Sequence, residues 1–229
     1  MSAPASPPPV RQSRRQRRSS PVLPGLLAAV FLLGLVIGYL LPRPSGGMSG
    51  QGGFFRPKKD PPVMPDWVTV DLLPENEYSR PGTALDEVRG IVVHYVGNPG
   101  TSARNNRNYF ESLAQSGEAY ASSHFIIGLE GEVLQCVPLD EISYCSNSRN
   151  DDTIAIECCH PDAGGAFNQS TYDSLVALTA YLAEYYELSE EDVIRHYDIT
   201  GKECPKYYVD NSDAWQRFLD EVFSHQEEE

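Results

Sequence analysis

The apolar positions fall into runs of two kinds. Val22 to Leu41 is uncharged throughout. At about 1.5 Å of rise per residue, such a run of about 20 residues matches a hydrocarbon core of about 30 Å. The other runs are shorter and patterned. "GIVVHYV" (90–96) is β-branched and compact, which predicts a strand buried on both faces, with His94 near its end. "ASSHFIIGLEGEVLQCV" (121–137) predicts two strands joined across Glu130-Gly131, the glycine supplying a positive φ. "DDTIAIECC" (151–159) predicts a further strand. From Ser170, with Asp173 completing a cap-like box, Leu175, Leu178, Leu182 and Tyr185 recur on one face of a helix. Ser189 and Asp192 form a second cap-like pair leading into "VIRHYDITGKECPKYYV" (193–209). A last helix over 212–223 turns Trp215, Phe218, Leu219 and Val222 inward. The fold class expected is α/β, a mixed β-sheet flanked by helices and preceded by a single transmembrane helix. No internal repeat is visible.

Charge divides the chain. Residues 1–59 hold nine of the 18 Lys and Arg and no Asp or Glu, so all 32 acidic residues fall in 60–229 against nine basic ones. Five arginines precede the apolar run and only Arg43 follows closely, which by the positive-inside rule leaves the N-terminus in the cytoplasm. The domains expected are a basic cytoplasmic tail (1–21), a signal-anchor helix (22–41), a Gly/Pro-rich extracellular linker (42–79) and a folded domain (80–229). This is a single-pass cell-membrane protein with its domain outside. The competing reading, a cleaved signal peptide, would leave a secreted domain, and no A-x-A site precedes "PRPSGG". The acidic balance excludes nucleic acid as a partner, because phosphates would be repelled. Nothing indicates the oligomeric state.

His94, His196 and Cys204 form a donor set suited to zinc, which in catalytic sites takes three protein ligands and an open position for water. Taken singly, each has a structural explanation: a hydrogen-bonded strand-end histidine, or an exported cysteine that is half of a disulfide.

Context changes this. "YSRPGTALDEVRGIVVHYVGNPGTSARNNRNYFESL", "ASSHFIIGLEGEVLQCVPLDEISY", "TIAIE" and "VIRHYDITGKECP" follow in order. Over about residues 78–222 the chain resembles the zinc-dependent N-acetylmuramoyl-L-alanine amidases, the family that includes phage lysozyme-type amidases and peptidoglycan recognition proteins. The nearest likeness is to those of clostridia-like Gram-positive bacteria. The resemblance implies peptidoglycan as partner, Zn2+ as cofactor, and hydrolysis of the bond between N-acetylmuramic acid and L-alanine. A non-catalytic peptidoglycan-binding module is the alternative the family allows. The metal ligands implied are His94, His196 and Cys204, the last a position where many relatives have Asp. Glu157 matches a strand-end general base, and Lys202 the basic residue two positions before the third ligand, placed to stabilise an oxyanion. Ser123 stands where some relatives have a tyrosine, and Cys145 where many have a cleft histidine. Ser123, His124 and Cys145 are therefore the possible substrate-cleft residues. With Cys204 assigned to metal, Cys136, Cys145, Cys158 and Cys159 allow three pairings in two bridges. Strand alternation separates Cys158 from Cys159, and a single bridge from Cys145 to one of them is expected.

Overall fold

A computed structural model describes residues 59–224. Six strands form one mixed sheet: β1 (Val68–Val70), β2 (Gly90–Tyr95), β3 (Phe125–Ile127), β4 (Val133–Gln135), β5 (Thr153–Cys158) and β6 (Val193–Arg195), in the order β1-β4-β3-β5-β2-β6. Only the β3–β4 pair is antiparallel. It is the hairpin expected around Gly131, whose φ of 84° belongs to the left-handed region that glycine enters without a steric penalty. The other four pairings are parallel.

The helices are α1 (Ala103–Ser116), α2 (Gln169–Tyr186), α3 (His196–Thr200), α4 (Lys206–Asp210) and α5 (Ser212–Ser224). On one face of the sheet, Ile91, Val93, Phe125, Ile127, Ile154 and Ile156 pack in one core with Leu175, Leu178 and Leu182 of α2 and Phe218 and Val222 of α5. On the other, Ile126 and Leu134 share a core with Leu73 and with Phe110 and Leu113 of α1. Each such side chain removed from water contributes about 1.5–3 kcal/mol. Two covered faces explain why the central strands read as continuous apolar runs.

Several expectations are corrected. The N-cap of α2 is Asn168, whose side chain accepts from the Thr171 amide at 2.9 Å, not Ser170. The reciprocal box of Ser189 and Asp192 caps only a single 3₁₀ turn (Glu190–Asp192), because β6 begins at the next residue. The linker expected over 42–79 is not all linker: Val68 and Leu73 are buried, and β1 pairs with β4 in register Val68↔Val133. Residues 42–58 lie outside the described ones, as do the tail 1–21 and the anchor 22–41. The cell-membrane location is also corrected: among the described residues no helix is long and apolar enough to cross a membrane. Finally, all five cysteines are free. Cys158 belongs to the core under α2 and α5 and Cys159 to the core under α1, so alternation separates them as expected, but neither is bridged to Cys145.

Candidate active site

β5, β2 and β6 run parallel, so their carboxyl ends meet at one edge of the sheet. His94 is the fifth residue of β2 and Glu157 the fifth of β5, and the two are Cα partners. Val93 pairs with Arg195, which places His196 at the end of β6, where it opens α3. Asp198 accepts from the Arg195 amide at 2.8 Å, and Gly201 ends the helix with φ 76°. The Tyr197 amide then donates to the Cys204 carbonyl at 2.9 Å, folding 196–204 into a closed loop that returns Cys204 beside His196.

The Nδ1 atoms of His94 and His196 face each other at 3.2 Å, and the Cys204 sulfur lies 3.9 Å from His94 Nδ1. All three side chains are buried and their donor atoms lie within 4.8 Å of one another. The outer nitrogens are occupied: His94 Nε2 lies 3.3 Å from Ser146 Oγ, and His196 Nε2 lies 2.7 Å from Asn147 Oδ1. With the outer nitrogens donating, two Nδ1 lone pairs confront each other, an arrangement that repels unless a cation lies between them. Burial, first of all, holds His94 well below the ordinary imidazole range, with His196 and Lys202 adding to the effect; burial and then Lys202 lower His196. Both shifts run toward neutral rings. Tetrahedral zinc at ordinary bond lengths would set its nitrogens about 3.3 Å apart and nitrogen and sulfur about 3.6 Å apart. The donor set fits zinc.

Around this set is a cavity of about 170 Å³, lined by, among others, Phe110, Tyr144, Cys145, Glu157, Lys202 and the three donors. Glu157 Oε1 accepts from the Cys145 thiol at 3.6 Å, while its buried Oε2 has no hydrogen-bond partner. Burial pushes the Glu157 carboxyl up to about 7, against the opposing pull of the Cys145 bond and Lys202. Burial and then Glu157 raise the Cys204 thiol to about 12 in the protein without metal, where a bound cation would favour the thiolate.

Six of the eight site candidates thus line one cavity: His94, Cys145, Glu157, His196, Lys202 and Cys204. Ser123 and His124 do not. Ser123 is fully buried and donates to the Ala155 carbonyl at 2.9 Å. His124, also fully buried, donates from Nε2 to the Glu141 carbonyl at 2.9 Å and accepts the Ala155 amide on Nδ1 at 3.0 Å. Its ring joins β5 to the segment at Glu141 and does not enter the cleft. Ser146 and Asn147 were not singled out by sequence reasoning. The only available signal was a run of polar residues, "SNSRN", between two strands.

Two imidazoles, a thiol, a carboxylate with a free oxygen and a lysine at one cavity form a site suited to metal-assisted hydrolysis. Comparison with known proteins narrows the class. The family model described as N-acetylmuramoyl-L-alanine amidase matches residues 84–207, more than half of the chain, and the chain belongs to that family. The amidase CwlL of Bacillus licheniformis is 32% identical over an alignment of 170 residues, covering 69% of this chain and 47% of CwlL. The amidase BlyA of Bacillus subtilis is 32% identical over 173 residues, covering 66% of this chain and 45% of BlyA. The chain thus spans about half the length of the curated relatives it matches. The solved catalytic domain of XlyA superposes with a TM-score of 0.58 at 25% identity, covering 68% of this chain and 98% of that domain. These relatives are from Bacillus and give no support to the expected nearness to clostridia-like amidases.

Proposed function

We propose that the folded part hydrolyses the amide between the lactyl group of N-acetylmuramic acid and the L-alanine that begins the stem peptide of peptidoglycan, with zinc held by His94, His196 and Cys204. The observation that carries this reading is the convergence of those three donors on a cavity that also holds the unpartnered Oε2 of Glu157. Zinc held by these three residues would supply a water whose pKa is lowered to about 7 and a Lewis acid for the carbonyl to be attacked. Glu157 takes the proton of the attacking water on its free oxygen and delivers it to the leaving amine, while the Cys145 thiol steadies the other oxygen. Lys202, exposed but lining the cavity, meets the negative charge that develops on the carbonyl oxygen.

Mass spectrometry of purified wall digested with and without a chelator tests the bond and the metal together. The expected result is new L-alanine amino termini that disappear with chelator and return with zinc. Binding to wall without new termini would reduce the protein to a recognition module.

A further inference from the structure

Three consecutive residues, Cys145, Ser146 and Asn147, each hold a different member of the site. Cys145 donates to Glu157 at 3.6 Å, Ser146 Oγ lies 3.3 Å from His94 Nε2, and Asn147 Oδ1 lies 2.7 Å from His196 Nε2. The segment is itself pinned. Asn150 Oδ1 accepts both the Cys145 amide at 3.1 Å and the Ser146 amide at 2.6 Å, and the Asn150 amide donates back to the Asn147 carbonyl at 3.2 Å. Asn147 is exposed and sits at φ 52°, in the left-handed region. Glycine enters that region most freely, and asparagine is among the few other residues that visit it routinely. The backbone alone therefore gives no reason to prefer a side chain here; the amide's contact with His196 does.

We propose that Asn147 is a positioning residue that fixes the tautomer of His196. This inference rests on the reading of His94, His196 and Cys204 as zinc ligands. A carboxamide oxygen can only accept, so the proton of the neutral imidazole is held on Nε2 and the Nδ1 lone pair is left facing His94 Nδ1 and the Cys204 sulfur. Ligand imidazoles are generally held this way through their second nitrogen, and loss of such a partner costs about 10- to 100-fold in metal affinity. The left-handed turn at Asn147 carries the amide to a ring on another segment, and Asn150 stops the turn from relaxing away.

The test uses the full chain and two substitutions. Asn147→Gly keeps the backbone conformation and removes the acceptor, whereas Asn147→Asp keeps an acceptor oxygen. Zinc affinity is measured by competition with a chromophoric chelator, and the His196 tautomer by imidazole nitrogen NMR on the zinc-free protein. Asn147→Gly should weaken zinc binding about 10- to 100-fold and let the His196 proton redistribute to Nδ1, while Asn147→Asp stays close to wild type in both. Wild-type zinc affinity in Asn147→Gly with His196 still protonated on Nε2 would overturn the proposal. So would an Nδ1–H tautomer in the zinc-free wild type, a result that needs no variant. If the wild type took up no zinc, the proposed function would fail, while the NMR signature would still decide whether Asn147 sets the tautomer.

Discussion

Glu157→Gln separates the proposed base from the proposed metal. Gln keeps the size and planarity of the side chain and removes only its capacity to accept a proton. In the wild type one carboxylate oxygen is engaged by Cys145 at 3.6 Å, and the other, buried and without a partner, is the one free to take a proton. Burial pushes this carboxyl up to about 7 in the protein without metal, and a bound cation would draw it back toward the carboxylate, the form that accepts the proton of the water. Losing a base of this kind costs about 10²- to 10⁴-fold in kcat, or about 3–5 kcal/mol of barrier. KM should change little, because proton transfer develops only in the transition state. Zinc content should also hold, since the outer nitrogens of the two histidines rest on Ser146 and Asn147 and make no bond to Glu157. The assay is release of L-alanine amino termini from a soluble muramyl peptide, with kcat and KM resolved, beside metal analysis of the same preparation. Turnover close to wild type would remove Glu157 as the base. Loss of zinc along with turnover would make Glu157 a ligand, in line with the second donor group that it forms with His94 and Cys145.

Other substitutions divide the remaining roles. Cys204→Ala should lose zinc and turnover together while the apo protein still unfolds cooperatively in urea; a zinc-replete, active Cys204→Ala protein would refute the ligand assignment. Lys202→Ala should lower kcat by about 10²- to 10³-fold, the usual cost of one oxyanion partner, with zinc content unchanged. His124 supplies a stability test. Burial lowers its pKa from 6.5 to about 4, against the weaker opposing effect of its bond to the Glu141 carbonyl. The unfolded chain therefore binds a proton that the folded one refuses. That contribution is complete above about pH 6.5, is lost as pH falls toward 4, and amounts to about 3 kcal/mol. Between pH 6.5 and 4, urea titrations should show the wild type losing more stability than His124→Asn by that amount, and parallel curves would dismiss the linkage.

What could be read from the chain, and what could not, follows from where the information lies. The strands 90–96, 121–137 and 151–159 were legible because their apolar runs are short, β-branched and bounded by turn residues. The last helix was legible because Trp215, Phe218, Leu219 and Val222 keep one period. α1 was not, because its inward face mixes Phe110 and Leu113 with Asn106 and Arg107, which are buried by bonding to backbone. Asn106 reaches the Ser102 carbonyl at 2.9 Å and Arg107 the Leu72 carbonyl at 3.1 Å. A hydrophobic-periodicity argument discounts such residues. β1 was hidden for a related reason: three residues in a Pro-rich stretch become a strand only because β4 offers them an edge. At the site, residue types suggested His94, His196 and Cys204 and the family resemblance added Glu157 and Lys202, but proximity across the sheet depends on strand order, which local pattern does not encode. Ser146 and Asn147 were illegible because their part is played through hydrogen bonds to rings about 50 residues away in sequence. The same limit explains His124, whose neighbourhood in sequence suggested a cleft and whose bonds to Glu141 and Ala155 make it part of the frame.

The groups at the cavity depend on the fold in two different ways. His94 and Glu157 are Cα partners on adjacent parallel strands, and their common face is set by the alternation that sends Ile91, Val93, Ile154 and Ile156 into the core with α2 and α5. A slip of one residue would turn those side chains out of the core and His94 or Glu157 away from the cavity at once, so core packing and site geometry enforce the same register. His196 and Cys204 are joined instead by the local closure of 196–204, where the Tyr197 amide meets the Cys204 carbonyl. The pairing of β2 with β6 sets the two systems side by side, and Asn147 adds a hydrogen bond between them: it belongs to the loop that ends in β5, and it grips the ring that opens α3. Carboxyl ends of parallel strands are where α/β sheets commonly place ligands. Here that edge supplies a rigid pair, and a closed loop at the end of the neighbouring β6 brings a second pair to it, its ring oriented by one hydrogen bond of 2.7 Å.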